Sequence, residues 1–255
     1  MKFIDTHTHL YLEQFDEDRD QVVERALKQG VETMLLPNID ADSVAPLWKL
    51  VDAYPNHFYP MAGLHPSSVG EDYKIQLQRV EQDLNERKYI AVGEIGIDLY
   101  WDKTFEKQQK EALIFQFDLA IHHDLPVVIH SRDSFDEIIE VIDAFDNPDL
   151  KGVFHCFTGT ESQAKMIIDR GFLLGIGGVY TFKNSDLRKE LQNIDIENIV
   201  LETDAPYLTP APYRGKRNES AYVYYVAQRM AEEYKKSMHE IAEITSANAR
   251  KLFKI

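Results

Sequence analysis

Short apolar runs alternate along this chain with longer stretches in which apolar residues recur every three or four positions. The runs are KFIDTH from Lys2, VETMLLP from Val31, FYPMAGLH from Phe58, YIAVGEIG from Tyr89, LPVVIHS from Leu125, GVFHCF from Gly152, FLLGIGG from Phe172 and NIVLETD from Asn198, eight in all. Helical periodicity marks DRDQVVERALKQG from Asp18, TFEKQQKEALIFQFDLAIHHD from Thr104, DSFDEIIEVIDAF from Asp133 and ESQAKMIIDRG from Glu161. The C-terminal stretch SMHEIAEITSANARKLF opens with a capping box from Ser237 to Glu240. Apolar runs that are continuous rather than alternating belong to strands covered on both faces, as in a parallel sheet flanked by helices. Eight such units in 255 residues predict an α/β chain folded as one (β/α)8 TIM barrel, residues 1–255, with no linker to divide it. An open doubly wound sheet would need a glycine-rich phosphate loop after the first strand, and none is there. The glycines of GIGGVY, Gly175 to Tyr180, come late and are read as a tight strand exit.

Composition narrows the setting. The chain is 44% hydrophobic and carries a formal net charge of −15. No run reaches the about 18 apolar residues of a membrane span. The N-terminus turns polar at Asp5, so it does not read as a signal peptide, and the single cysteine, Cys156, has no internal partner. A cytoplasmic monomer without membrane contact is expected. Such an acidic chain repels nucleic acid at long range, so any phosphate contact must run through metal ions or a local basic patch.

The C-terminal strand ends change the picture further, because a barrel assembles its site there. They present His7 and His9, then His65, Glu94, His130, His155 and Asp204. Five of the nine histidines thus face one mouth together with two carboxylates. Burying so many imidazoles is costly unless each is satisfied, and metal coordination satisfies them. His7 and His9 alternate along their strand, so both rings lie on one face and can hold one divalent ion. Asp5 either orients a ligand histidine or is an inner-barrel carboxylate held by backbone.

The ordered motifs FIDTHTHL, GLHP, VGEIGID, PVVIHSRDSFDE, HCFTG and VLETDAP resemble the TatD family of metal-dependent deoxyribonucleases, within the metallo-dependent hydrolases, from residue 3 to the last helix. The resemblance implies two divalent ions. His7, His9 and Asp204 bind one, His130 and His155 the other, and Glu94 bridges both. His65 is implied to line the mouth beside the substrate. Two positions depart from the family pattern. Tyr11 stands where an acid or asparagine is usual, and Ser220 stands where a proline is usual; neither is expected to touch a ligand. The fourth strand end holds no lysine that could be carboxylated to bridge the metals, and Glu94 can bridge directly.

Arg132 follows His130, and Arg214, Lys216 and Arg217 follow the eighth strand, so Arg132 and Arg214 are candidates for substrate phosphate. Tyr100, Trp101, Tyr207 and Tyr213 are candidates for stacking on unpaired bases. Imidazole ligands favour zinc, manganese or iron, while the resemblance implies activity supported by Mg2+ or Mn2+. The expected function is hydrolysis of DNA phosphodiesters, as a 3′-5′ exonuclease on single-stranded ends, with Glu94, Asp204 and His65 catalytic and Asp204 as general base. The alternative is hydrolysis of a C–N or ester bond in a small or RNA-linked substrate.

Overall fold

The computed structural model describes residues 1–255, and each apolar run coincides with a strand, with β4 and β5 running one or two residues past the end of theirs. These are β1 (Phe3–Asp5), β2 (Val31–Leu36), β3 (Phe58–Pro60), β4 (Val92–Asp98), β5 (Val127–Arg132), β6 (Gly152–Phe154), β7 (Leu173–Ile176) and β8 (Ile199–Leu201). All neighbours pair in parallel, β1 to β3 in one set and β4 to β8 in another. Backbone hydrogen bonds join the sets at both seams. Gly93 N–H donates to Ala62 O at 2.8 Å and Ile90 N–H to Pro60 O at 3.0 Å. Across the other seam, Thr6 N–H donates to Leu201 O at 3.0 Å and Asp204 N–H to His7 O at 2.9 Å. The ring is therefore closed, as a (β/α)8 barrel.

The helices are α1 (Arg19–Lys28), α2 (Val44–Ala53), α3 (Tyr73–Glu86), α4 (Glu106–His122), α5 (Phe135–Phe145), α6 (Glu161–Asp169), α7 (Leu187–Glu190), α8 (Val223–Tyr234) and α9 (Met238–Phe253). Sequence periodicity singled out α1, α4, α5, α6 and α9. It passed over α2, which carries Pro46 in its first turn, and α3, whose buried stripe is only Tyr73, Leu77, Val80 and Leu84. It also passed over α7, a single turn, and α8, which opens in β-prone aromatics. The capping box at α9 forms as read: Glu240 N–H donates to Ser237 Oγ, and Ser237 N–H to Glu240 Oε2. GIGGVY is a strand exit, with β7 ending at Ile176 and a 3-10 turn at Gly178–Thr181.

Inside the barrel, Ile4, Leu35, Met61, Val128, Val153 and Val200 pack with Ala249, Leu252 and Phe253 of α9. Asn248 of α9 donates to Ile196 O and Ile199 O at the entry to β8, and Ser246 to Lys2 O before β1. The last helix thus covers the N-terminal end of the barrel. Side chains alternate along a strand, so the residues two places after Val128, Val153 and Val200 rise on the same inner face. They are His130, His155 and Glu202. The apolar floor and the polar mouth are successive layers of one interior. Two glycines make room there. Gly96 has φ +146°, and a Cβ on it would lie 2.0 Å from His130 O. A Cβ on Gly175 would lie 2.3 Å from Glu202 Oε2. No helix is long and apolar enough to cross a membrane.

Candidate metal centre

Glu94 lies at the centre of the mouth, on β4, and is 2% exposed. Its two oxygens face different histidines. Oε2 lies 3.1 Å from His7 Nε2 and 3.6 Å from His9 Nε2. Oε1 lies 2.8 Å from His155 Nε2, 2.9 Å from His130 Nδ1 and 3.3 Å from His65 Nε2. Asp204 Oδ1 closes the first side, 3.7 Å from His7 Nε2 and 3.6 Å from His9 Nε2. All seven strand-end residues therefore converge. Three sets have ligand atoms within 4.8 Å of one another: His7, His9 and Glu94; His7, His155 and Asp204; and His65, Glu94 and His130.

The electrostatics follow from burial set against pairing. Burial pushes the Glu94 carboxyl up, but His155, His7 and His65 outweigh it and hold it well below the usual carboxylate range. Burial likewise opposes ionisation of Asp204, and the His9 imidazole with its neighbours His7 and His155 reverses it. For His9, burial is overcome by the Asp204 and Glu94 carboxylates 3.6 Å away, which raise it to about 9. His7 and His65 are held low, chiefly by burial. Without a cation, the two carboxylates are compensated by protons on imidazoles. A divalent ion would replace those protons, and the mixed nitrogen and oxygen donors suit one. His7 Nδ1 is buried without a hydrogen-bond partner, so the polar contacts of this ring are made by its Nε2.

Outer contacts orient the rings. His130 Nε2 lies 3.0 Å from Asp98 Oδ2, so Nδ1 is the nitrogen it presents to the centre. Ser67 N–H donates to His65 Nδ1 at 3.1 Å. A neutral His65 must then carry its proton on Nε2, as a donor aimed at the site. Glu202, fully buried, accepts from Cys156 N–H at 2.6 Å, and its Oε1 lies 3.6 Å from His155 Nδ1. Asp5 accepts from Thr203 N–H, Thr203 Oγ1 and His7 N–H. It ties the exits of β1 and β8 and touches no ring.

Asp98 and Glu202 were not singled out from the sequence. The signal existed, since Asp98 is four residues beyond Glu94 on one strand and Glu202 two beyond Val200. The expectation that Tyr11 touches no ligand is overturned: its hydroxyl lies 2.9 Å from His9 Nδ1. The chain turns after β1 and buries the Tyr11 ring, which brings its hydroxyl back to His9. Ser220 does keep clear of the ligands, donating to Thr8 Oγ1 at 3.2 Å.

The centre opens into a cleft of about 580 Å³ lined by His9, His65, Glu94, His130, His155 and Asp204, with Arg132, Trp101, Tyr207 and Leu208 among the outer residues. The Arg132 guanidinium lies 3.9 Å from the Tyr100 ring centre and 5.3 Å from that of Trp101. Trp101 is 76% exposed. The basic loop after β8 is otherwise engaged. Arg217 bonds Gln14 O and Asp18 and covers Phe15, while Arg214 lies over the Phe182 ring and is not part of the cleft wall. Tyr213 is stacked on Tyr222, with ring centres 4.6 Å apart.

Residues 4–254 match the family described as TatD related DNase. The chain is 36% identical to the uncharacterized metal-dependent hydrolase YabD of Bacillus subtilis, over 98% of each chain. It is 33% identical to the 3′-5′ ssDNA/RNA exonuclease TatD of Salmonella typhimurium, again over 98% of each. The crystal structure of YjjV, a TatD homologue from Escherichia coli, superposes with a TM-score of 0.93 at 31% identity, covering 99% of this chain and 98% of that one. With its closed barrel and its converging histidines and carboxylates, this chain belongs to the TatD family of metal-dependent hydrolases.

Proposed function

We propose that this protein is a 3′-5′ exonuclease that hydrolyses phosphodiesters at single-stranded DNA ends. The observation that carries the reading is the division of Glu94, with one oxygen toward His7 and His9 and the other toward His130 and His155. That arrangement suits two cations joined by one carboxylate. His7, His9 and Asp204 would hold one, His130 and His155 the other, and Glu94 both. Divalent ions there, Mg2+, Mn2+ or Zn2+, supply Lewis-acid charge and make a water more acidic.

The chain's own groups complete the reaction. Water adds to phosphorus as the P–O3′ bond breaks, and the leaving 3′ oxygen takes up a proton from solvent to become a free hydroxyl. Asp204, on the cleft wall, accepts the proton that water loses. The His65 Nε2–H donates a hydrogen bond to a phosphoryl oxygen as charge builds there. Arg132 pairs with the phosphate. Trp101 and Tyr207, exposed at the mouth, offer faces to an unpaired base. Arg214, outside the cleft wall, serves nucleotides farther along the strand. The name of the Salmonella relative, an exonuclease on single-stranded DNA and RNA, supports this substrate class.

The test is incubation with oligonucleotides labelled at either end, in Mg2+, Mn2+ or Zn2+. Stepwise loss from the 3′ end that disappears in Asp204→Ala is expected. No shortening with any of the ions, or cleavage of aminoacyl esters alone, overturns the reading.

A further inference from the structure

We infer that Tyr11 is a positioning residue that sets the tautomer of His9 and so aims its Nε2 lone pair at the metal centre, an inference that rests on the metal-centre reading above. Tyr11 is 2% exposed, with its hydroxyl between two partners. It donates to Pro37 O, at the end of β2, at 2.7 Å. A hydroxyl has one proton, and the carbonyl can only accept. Toward His9 Nδ1, at 2.9 Å, the Tyr11 oxygen is therefore left as acceptor. His9 Nδ1 must carry a hydrogen, and in the neutral ring Nε2 is then bare. That Nε2 is the atom 3.2 Å from His7 Nε2 and 3.6 Å from both Glu94 and Asp204.

The arrangement has a chemical consequence. The partner of His9 is neutral, whereas His130 meets a carboxylate, Asp98. A carboxylate behind an imidazole raises its basicity as a ligand, and a phenol raises it less. The cation beside His7 and His9 is therefore held less tightly through its histidines than the cation beside His130. The Tyr11 ring also joins the β1 exit to the β2 end through Pro37, so the Nδ1 partner is fixed by the barrel rather than by a mobile loop.

The experiment compares the wild-type protein with Tyr11→Phe, which keeps the ring and removes only the hydroxyl. Mn2+ binding is measured by calorimetry on metal-stripped protein. The imidazole N–H signals of Zn2+-loaded, 15N-histidine-labelled protein are recorded by NMR, and folding of the stripped proteins is checked by circular dichroism. One Mn2+ site should weaken by roughly 10- to 100-fold while the other is unchanged. A protected Nδ1–H signal of His9 should be present in wild type and lost in the variant. Unchanged Mn2+ affinity in a folded variant, or a His9 proton on Nε2 in the loaded wild type, overturns the inference. Equal weakening of both sites with loss of fold would mark Tyr11 as structural only and overturns it too. Failure of the wild-type protein to bind Mn2+ would instead sink the metal-centre reading itself.

Discussion

Asp204 and His9 show how position gives an ordinary side chain its task. Asp204 touches the His7 and His9 side of the centre with one oxygen while its side chain borders the cleft. If it both binds metal and accepts the water proton, Asp204→Asn should keep part of the metal and lose turnover by about 100-fold or more. Titrating Mn2+ into the variant while following occupancy and rate checks this, and full recovery at saturation would remove the proton-transfer role. His9 carries a second prediction. Its partners raise it to about 9 in the metal-free protein. Below that pH the ring is protonated and must lose a proton before Nε2 can bind. Metal affinity should therefore rise with pH up to about 9 and beyond, by about tenfold per unit for each proton displaced, because the His130 and His155 imidazoles are raised as well. Calorimetry in buffers of different ionisation enthalpy counts the protons released, and a pH-independent affinity would contradict the pairing described here.

At the scale of elements, short strands hold the site and the helices support it from outside and below. β7 contributes no metal-facing side chain, and its Gly175 leaves the space that Glu202 fills beside His155. Gly175→Ala should push Glu202 aside and weaken Mn2+ binding with little change in far-UV circular dichroism. At the opposite end, Phe253 in the last turn of α9 is 3% exposed and packs against the barrel floor. Phe253→Ala should cost about 3 kcal/mol, toward the low end for a buried aromatic because a helix terminus can settle into the space. Urea unfolding of the metal-stripped protein measures it. The Ser237–Glu240 cap of this helix was legible from residue types alone, because a cap depends on a few neighbours in sequence. α3 was passed over although Tyr73, Leu77, Val80 and Leu84 fall on one face at helical spacing, because its other positions are almost all polar and no capping box marks its start.

For the whole molecule, a net charge of −15 opposes a polyanionic substrate. Arg132 is the sole arginine or lysine on the cleft wall. If only one or two cationic contacts meet phosphates, log affinity for single-stranded DNA should fall with log salt at a slope of roughly −0.7 to −1.4. Fluorescence anisotropy with Asp204→Asn at constant free Mn2+ measures this. A slope several times steeper would mean that more cations than Arg132 and Arg214 meet the strand.

Much of this was determined along the chain itself. Eight continuous apolar runs, six of them with a polar site residue in or just after their C-terminal half, are enough to specify a parallel barrel and the edge on which its chemistry sits, because alternation and burial act over a few residues. The same reasoning brought His7, His9, His65, Glu94, His130, His155 and Asp204 to one mouth. Closure decided the rest. Only when β8 lies beside β1 does Asp5 meet Thr203, and only when Tyr11 is turned against the end of β2 does its hydroxyl fall between Pro37 and His9. Arg214 and Tyr213 looked equivalent to Arg132 and Trp101 in sequence, and packing against Phe182 and Tyr222 set them apart. Which nitrogen of a histidine is free, and which arginine reaches the cleft, depend on partners distant in sequence, so these properties exist only in the folded molecule.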